Sequence, residues 1–237
     1  KNFFRFSVSS LIGKGLSFIS APLFAYILSP TEFGLYAIFL AALPLSNILS
    51  NLNLPSSVRQ YEYKYSRNTS DYIYSIFISS LIVAIIYSIF LVYNSKLFFS
   101  FIELPQIFIW PFIIIAFLNI PASIYEQYIL GNNESMKHMK LSLVRSSSEI
   151  IISLILVYSL GFTAFNRSFG ALSGYICVFL IFLIPIFKKK SKKKLRFKKH
   201  YIYFSLGFSL PLIIHQISHV IISMSDRIII GKYLTKS

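Results

Sequence analysis

The sequence is poor in charge, and poorer still in negative charge. Only 13% of its 237 residues are Asp, Glu, Lys or Arg, and eight acidic residues stand against 23 basic ones. Soluble domains carry about 25% charged residues, so an ordinary water-facing surface is excluded. There is one cysteine, Cys177, inside an apolar run; no intrachain disulfide can form, and no thiolate framework for a metal is offered. The sequence has no phosphate loop, nucleophile elbow or suitably spaced pair of catalytic carboxylates, so neither enzymatic activity nor a cofactor is expected. His215 and His219 stand at i and i+4 like two metal ligands. No cysteine or carboxylate cluster completes a site around them, and no metal is expected.

What remains is apolar. Hydrophobic residues make up 55% of the chain and aromatics 17%, with 24 Phe and 16 Tyr, a composition suited to a lipid-facing surface with tyrosines near the headgroups. At about 1.5 Å per residue, a helix of some 20 residues crosses the roughly 30 Å hydrocarbon layer. Seven apolar stretches reach that length, at about Val8 to Leu28, Leu35 to Leu54, Tyr72 to Tyr93, Ile107 to Ile129, Leu141 to Leu160, Phe169 to Phe187 and Phe208 to Leu234. The fold class expected is an all-α membrane protein of about seven transmembrane helices. Pro111 and Pro121 should kink the fourth span, and Tyr201 to Phe204 is expected in the interface. The first apolar run shows no cleavable signal sequence. Because the chain begins at Lys1 and ends at Ser237 just past an apolar segment, it is expected to be part of a longer protein.

Charge fixes the orientation. The segment Lys188 to Lys199, KKKSKKKLRFKK, holds nine of the 23 basic residues. Together with Lys1, Arg5, Arg59, Lys64, Arg67, Lys137 and Lys140, it puts sixteen basic residues on one side of the membrane. The opposite links hold two, Lys96 and Arg167. Positive loops stay inside, so a cytoplasmic N-terminus is expected. A net charge of +15 would suggest nucleic acid in a soluble chain; here the one-sided loops account for most of it, and no nucleic-acid partner is expected. The links are too short for a soluble catalytic domain.

Function must then lie with polar residues at membrane depth, which are costly and usually face a bundle interior or water. Three spans carry polar stripes at helical spacing. In the first they are Ser7, Ser10, Lys14 and Ser17. In the fifth they are Ser142, Arg145 or Ser146, Glu149 and Ser153, with Arg145 and Glu149 close enough to pair. In the seventh they are Gln216, His219, Ser223 and Asp226, with Arg227 adjacent. Glu126 and Gln127 close the fourth span in an interfacial role, and His138 and His200 are expected to be solvated in links.

Two stretches carry a resemblance. Phe204-Ser-Leu-Gly-Phe-Ser-Leu-Pro-Leu-Ile-Ile-His-Gln-Ile-Ser-His, continuing to Ser223-Met-Ser-Asp-Arg-Ile-Ile-Ile-Gly-Lys-Tyr-Leu, resembles the start of the second half of bacterial polysaccharide flippases. Leu28-Ser-Pro-Thr-Glu-Phe-Gly-Leu-Tyr-Ala resembles the link after their first span. These are the O-antigen translocases of the exporter superfamily that also holds the multidrug and toxic compound extruders and the lipid II flippase. Laying Leu28 to Thr31 on Leu234 to Ser237 makes the seventh span a repeat of the first, as in transporters built from parallel repeats, and sets Asp226 and Arg227 opposite Ser20 and Ala21.

The resemblance implies a two-lobed exporter bundle of twelve to fourteen spans. Residues 1–187 would be its N-terminal six-helix lobe, 188–203 the basic loop between lobes, and 204–237 the first helix of the second lobe. It implies an inner-membrane protein of surface polysaccharide (O-antigen, lipopolysaccharide or capsule) biosynthesis. Such a protein flips an undecaprenyl-diphosphate-linked oligosaccharide by alternating access, with membrane lipids and a coupling ion, H+ or Na+, as further partners. Lys14, Arg145 and Arg227 suit the diphosphate or acidic sugars, Glu149 and Asp226 suit poising or ion coupling, and Arg59 suits first contact with the headgroup. Two alternatives stand beside this: a cation-coupled multidrug extruder of the same fold, and a membrane-embedded polymerase or acyltransferase.

Overall fold

The computed structural model describes residues 20–65, 69–188 and 195–234; side chains are described for these apart from 182–188, 219, 221 and 223–234. Every regular element among them is helical. α1 (residues 20–27) is followed by α2 (Pro30–Asn51), a 3-10 turn (Leu54–Ser56), α3 (Ser57–Tyr65), α4 (Thr69–Tyr93), α5 (Ser95–Phe101), a second 3-10 turn (Gln106–Phe108), α6 (Ile109–Gly131), α7 (Ser135–Leu160), α8 (Ala164–Lys188) and α9 (Lys199–Leu234). Five helical stretches, Pro30–Asn51, Thr69–Tyr93, Gln106–Gly131, Ser135–Leu160 and Ala164–Ile181, are long and apolar enough to cross a membrane. They coincide with the second to sixth expected spans. The first span lies mainly outside the described residues, and the seventh is carried by α9.

Local chemistry sets the helix ends. Ser29 caps α2, accepting from the Glu32 N–H at 3.3 Å, and Pro30 takes the first helical position, where its missing N–H is not needed. The Glu32 carboxylate reaches across the bundle to accept from the Ala164 N–H. It thus satisfies a free donor at the positive end of α8. Between α7 and α8 the chain turns at Gly161, whose φ of +112° is open only to glycine without strain. At the other end of the bundle, α2 stops at Leu52 and Asn53, both left-handed, and Pro55 starts the next turn.

Several links fold where a plain connection was expected. The segment Pro55 to Asp71 contains α3, and Asn94 to Gln106 contains α5. The sixth span starts at Ala164, five residues before the expected Phe169. Pro111 falls in the first turn of α6, where it breaks nothing, and Pro121 is the proline inside that helix. Tyr201 is 5% exposed and packs inside the bundle. It stands edge-on to Tyr61 and Tyr72, which stack at 3.8 Å with 3° between their planes, and Phe204 completes the group. Burial pushes the Tyr61 phenol above its ordinary range and keeps it neutral.

Hydrogen bonds fasten α9 to the same place. The Tyr72 hydroxyl donates to Ser57 Oγ at 2.6 Å, Ser57 and Ser205 hydroxyls meet at 2.7 Å, and Ser209 donates to the Asn53 carbonyl at 3.0 Å. The approach to α9 is tied down too: Asp71 accepts from the Arg196 N–H at 3.3 Å and Ser75 from the Lys198 N–H at 3.1 Å. We refer to this as the basic end. At the far end a second aromatic core joins Phe39, Phe108 and Phe112, with ring centroids 5.1 to 5.6 Å apart from Phe39. The outer faces of α4 and α7 are apolar and exposed, through Ile85, Ile86, Ile89, Phe90, Ile151 and Ile155. Exposed tyrosines lie beyond these faces, Tyr93 and Tyr158 toward the far end and Tyr63 and Tyr203 at the basic end, as at the two headgroup layers of a bilayer.

Candidate functional site

The closest helix pair in the bundle is α7 against α8, and it exists because α8 has no side chain at two positions one turn apart. A Cβ built on Gly170 would lie 2.5 Å from Ser153 Cα, and one on Gly174 would lie 3.1 Å from the Arg145 carbonyl oxygen. Small residues at i and i+4 let backbones approach in just this way. That approach brings the polar face of α7 against α8, and it rearranges the charges.

Arg145 and Glu149 stand one turn apart on α7, as expected, yet form no ion pair. The Arg145 guanidinium lies over the Tyr175 ring of α8 at 4.2 Å. Glu149 turns to Arg167, with its carboxylate 3.7 Å from Nη2. Hydropathy puts Arg167 in an outer link; it is instead the most buried cation described, 2% exposed. Its Nη1 donates to Ser153 Oγ, and its guanidinium lies 3.8 Å from the centre of the Phe24 ring and 4.6 Å from that of Tyr36. One carboxylate, one hydroxyl and two aromatic faces thus hold it, which is what a buried cation needs. Glu149 lies about 21 Å along α7 from Ser135 at 1.5 Å per residue, near the middle of that helix. Two carboxylates act on the two arginines: Glu149 stands beside Arg167, and Glu126 and Glu149 both act electrostatically on Arg145.

A second feature lies nearer the basic end. A cavity of about 320 Å³ opens between α2, α6 and α9, lined by Asn47, Asn51, Asn119, Gln127 and Gln216 with Asn53 of the adjoining turn. Each of the three helices has a proline inside it, Pro44, Pro121 and Pro211. Next to it is a second cavity of about 400 Å³ lined by Arg59, Gln60 and Tyr63 of α3 with Asn133 and Phe208; Ser56 lines both.

The expected site residues are distributed as follows. Arg145 and Glu149 belong to the central cluster, and Arg59 stands in the basic-end cavity. His215 is exposed on α9. Asp226, Arg227 and His219 lie on the α9 helix with side chains outside the described residues, and Lys14 is outside them altogether. Among the described residues no group of three His, Cys, Asp or Glu side chains is placed to hold a metal. His138, expected in solvent, is 14% exposed on α7 and meets Glu126 at 3.2 Å. Arg167, Tyr36 and the asparagines of the cavity were not singled out from the sequence, whereas Gln216 and Gln127 were. The signals available were Arg167, Gly170 and Gly174 on one helical face, Asn47 and Asn51 one turn apart, and Asn119, Ser123 and Gln127 at successive turns.

The family model described as polysaccharide biosynthesis protein matches residues 1–237. No curated protein matches the chain. Its fold is that of several solved transporters. A multidrug and toxic compound extruder bound to MaL6 is 18% identical with a TM-score of 0.71, over 92% of this chain and 53% of the other. An outward-facing multidrug resistance transporter of the same family, within the MOP superfamily, gives 18% identity and a TM-score of 0.68 over 92% and 53%. A MOP superfamily transporter from Pyrococcus furiosus, described for the reverse polarity of its binding pocket, gives 19% and 0.68 over 92% and 52%. The chain spans about half the length of the transporters it matches.

Proposed function

The chain belongs to the polysaccharide biosynthesis protein family, and we propose that it forms the first half of a transporter that moves an undecaprenyl-diphosphate-linked oligosaccharide across the inner membrane by alternating access. The observation that carries this reading is the central cluster. Two guanidiniums, Arg145 over the Tyr175 ring and Arg167 beside Glu149, lie inside the bundle. Guanidinium donors there suit an anionic group in transit, and a diphosphate is such a group. In this reading residues 1–187 are one lobe, 188–203 the link and 204–237 the start of the second lobe. With Arg167 inside the bundle, Lys96 alone of the expected outer basic residues stands against the sixteen, an asymmetry that supports a cytoplasmic basic end. Arg59, in its cavity at that end, meets the headgroup first. Lys14, Arg227, His215 and His219 extend the path, and Glu149 and Asp226 respond to a coupling H+ or Na+.

Pocket polarity also separates this reading from a multidrug extruder, whose cationic substrates call for acidic walls. The Pyrococcus furiosus relative is described as differing in function on the ground of reversed pocket polarity, and the guanidiniums inside the bundle here support the same kind of distinction.

The test is complementation in the host. The intact gene is deleted and restored as wild type, Arg145→Ala or Arg167→Ala, and surface polysaccharide is assayed with lipid-linked intermediates. Loss of surface polymer, with intermediates held on the cytoplasmic leaflet, is the expected result for both variants. Normal polymer in both, at normal protein levels, refutes the role of the cluster.

A further inference from the structure

The cavity between α2, α6 and α9 is built from side chains that the central cluster does not use. Among the described residues its wall presents six carboxamides, those of Asn47, Asn51, Asn53, Asn119, Gln127 and Gln216, with the hydroxyls of Ser56 and Ser123, and no charged side chain. Part of this wall is satisfied from within: Asn51 Oδ1 accepts from the Asn53 N–H at 2.8 Å, Asn119 Oδ1 accepts from Ser123 at 2.9 Å, and Asn53 Oδ1 accepts from the Ser56 hydroxyl.

The chemistry of a partner is narrow. The wall carries no formal charge to hold an ion, and an apolar guest would leave its carboxamides without partners. Each carboxamide offers donors and an acceptor, and a hydroxyl group both donates and accepts, so a ring bearing several hydroxyls can pair with several of them at once. Size agrees: about 320 Å³ falls at the lower end of the roughly 300–1,000 Å³ typical of small-molecule pockets.

We propose that this cavity holds an uncharged sugar ring, the one adjoining the diphosphate of the lipid-linked substrate, with its hydroxyls on the carboxamides of Asn47, Gln127 and Gln216. The assignment rests on the substrate reading given above. Placement supports it, because Ser56 lines both this cavity and the one containing Arg59. A phosphate at Arg59 and a sugar among the carboxamides are neighbouring positions along one molecule.

The experiment uses protein from the intact gene in lipid nanodiscs, titrated with undecaprenyl diphosphate and with the same lipid carrying one N-acetylhexosamine. Wild type is expected to bind the sugar-bearing lipid about tenfold more tightly, as two neutral hydrogen bonds would give. Asn47→Leu and Gln127→Leu should each reduce that preference by about threefold or more while leaving affinity for the bare lipid unchanged, which also shows that they are folded. Should Asn47→Leu lose the fold, half-buried Gln127 decides. An undiminished preference in the folded variants overturns the proposal. Equal affinity of wild type for the two lipids overturns it and leaves the substrate reading in place. Failure of wild type to bind either lipid removes both.

Discussion

Replacing Gly170 by alanine adds one methyl group where α7 and α8 approach most tightly, and the structure lets its effect be worked out against internal controls. The new Cβ would lie 2.5 Å from Ser153 Cα and 2.6 Å from Ser153 Cβ, where carbon atoms normally sit about 3.5–4.0 Å apart. Ser153 Cα belongs to the backbone and cannot swing aside, so α7 and α8 must separate by about 1 Å, an overpacking cost of about 1–3 kcal/mol. The displaced Ser153 hydroxyl is the group that accepts from Arg167, and loosening a hydrogen bond to a charged group adds about 1.5–3 kcal/mol at most. Against this, alanine is favoured over glycine inside a helix by about 1 kcal/mol. The expected net loss is about 2–4 kcal/mol. At Gly34 and Gly207 a Cβ meets nothing within 4 Å, so alanine there should be neutral or stabilising by up to about 1 kcal/mol. The assay is the fraction of monodisperse detergent-solubilised protein left after a series of heating steps. Gly170→Ala should rank well below wild type, with Gly34→Ala and Gly207→Ala at or above it. Adding Ser153→Gly removes the clashes with Oγ and Cβ but leaves the one with the backbone, so it should recover only part of the loss. A Gly170→Ala protein as heat-resistant as Gly34→Ala would refute the close α7–α8 approach and the site geometry built on it.

Other perturbations have equally definite outcomes. Glu149→Gln leaves Arg167 buried without its carboxylate; because Glu149 is 30% exposed, the loss is expected at about 1–2 kcal/mol, below the full cost of breaking a buried pair, read as a lower half-denaturation temperature in the same heating assay. Gly161→Ala forces a non-glycine residue to φ +112°, at about 1–3 kcal/mol, and should lower heat resistance without changing substrate binding. Ser57→Ala strips a shared partner from the Tyr72 and Ser205 hydroxyls at about 1–2 kcal/mol. It should speed tryptic cleavage in the lysine-rich segment before α9, seen as faster loss of the intact band.

The second to sixth spans were legible because apolar length is a property of consecutive residues. The third and fourth fall close to their expected limits, the second and fifth start five and six residues early, and the sixth starts five early for an instructive reason. Hydropathy treats an arginine as the edge of a span, so Arg167 pushed the expected start to Phe169. In the folded chain Glu32, remote in sequence, caps the helix three residues before it, and Ser153 and two rings receive the guanidinium. None of those partners is near Arg167 in sequence. The Arg145–Glu149 pair failed for a related reason: helical spacing says which side chains can meet, but the tight approach at Gly170 and Gly174 offered both better partners on α8. The carboxamide cavity was out of reach altogether. Its residues are spread singly over three otherwise apolar helices, and they converge only when α2, α6 and α9 come together. The periodicity of Asn47 with Asn51, and of Asn119 with Ser123 and Gln127, was visible; that these faces meet was not.

The internal prolines have a mechanical consequence. Pro44, Pro121 and Pro211 each leave a carbonyl one turn earlier, those of Leu40, Phe117 and Gly207, without its helical hydrogen bond. All three interruptions fall in the helices that wall one cavity, while α7 and α8 are clamped together at Gly170 and Gly174. Compliance in the bundle is therefore uneven: an elastic strain would be taken up by bending α2, α6 and α9 around the carboxamides, with the α7–α8 rod transmitting the load.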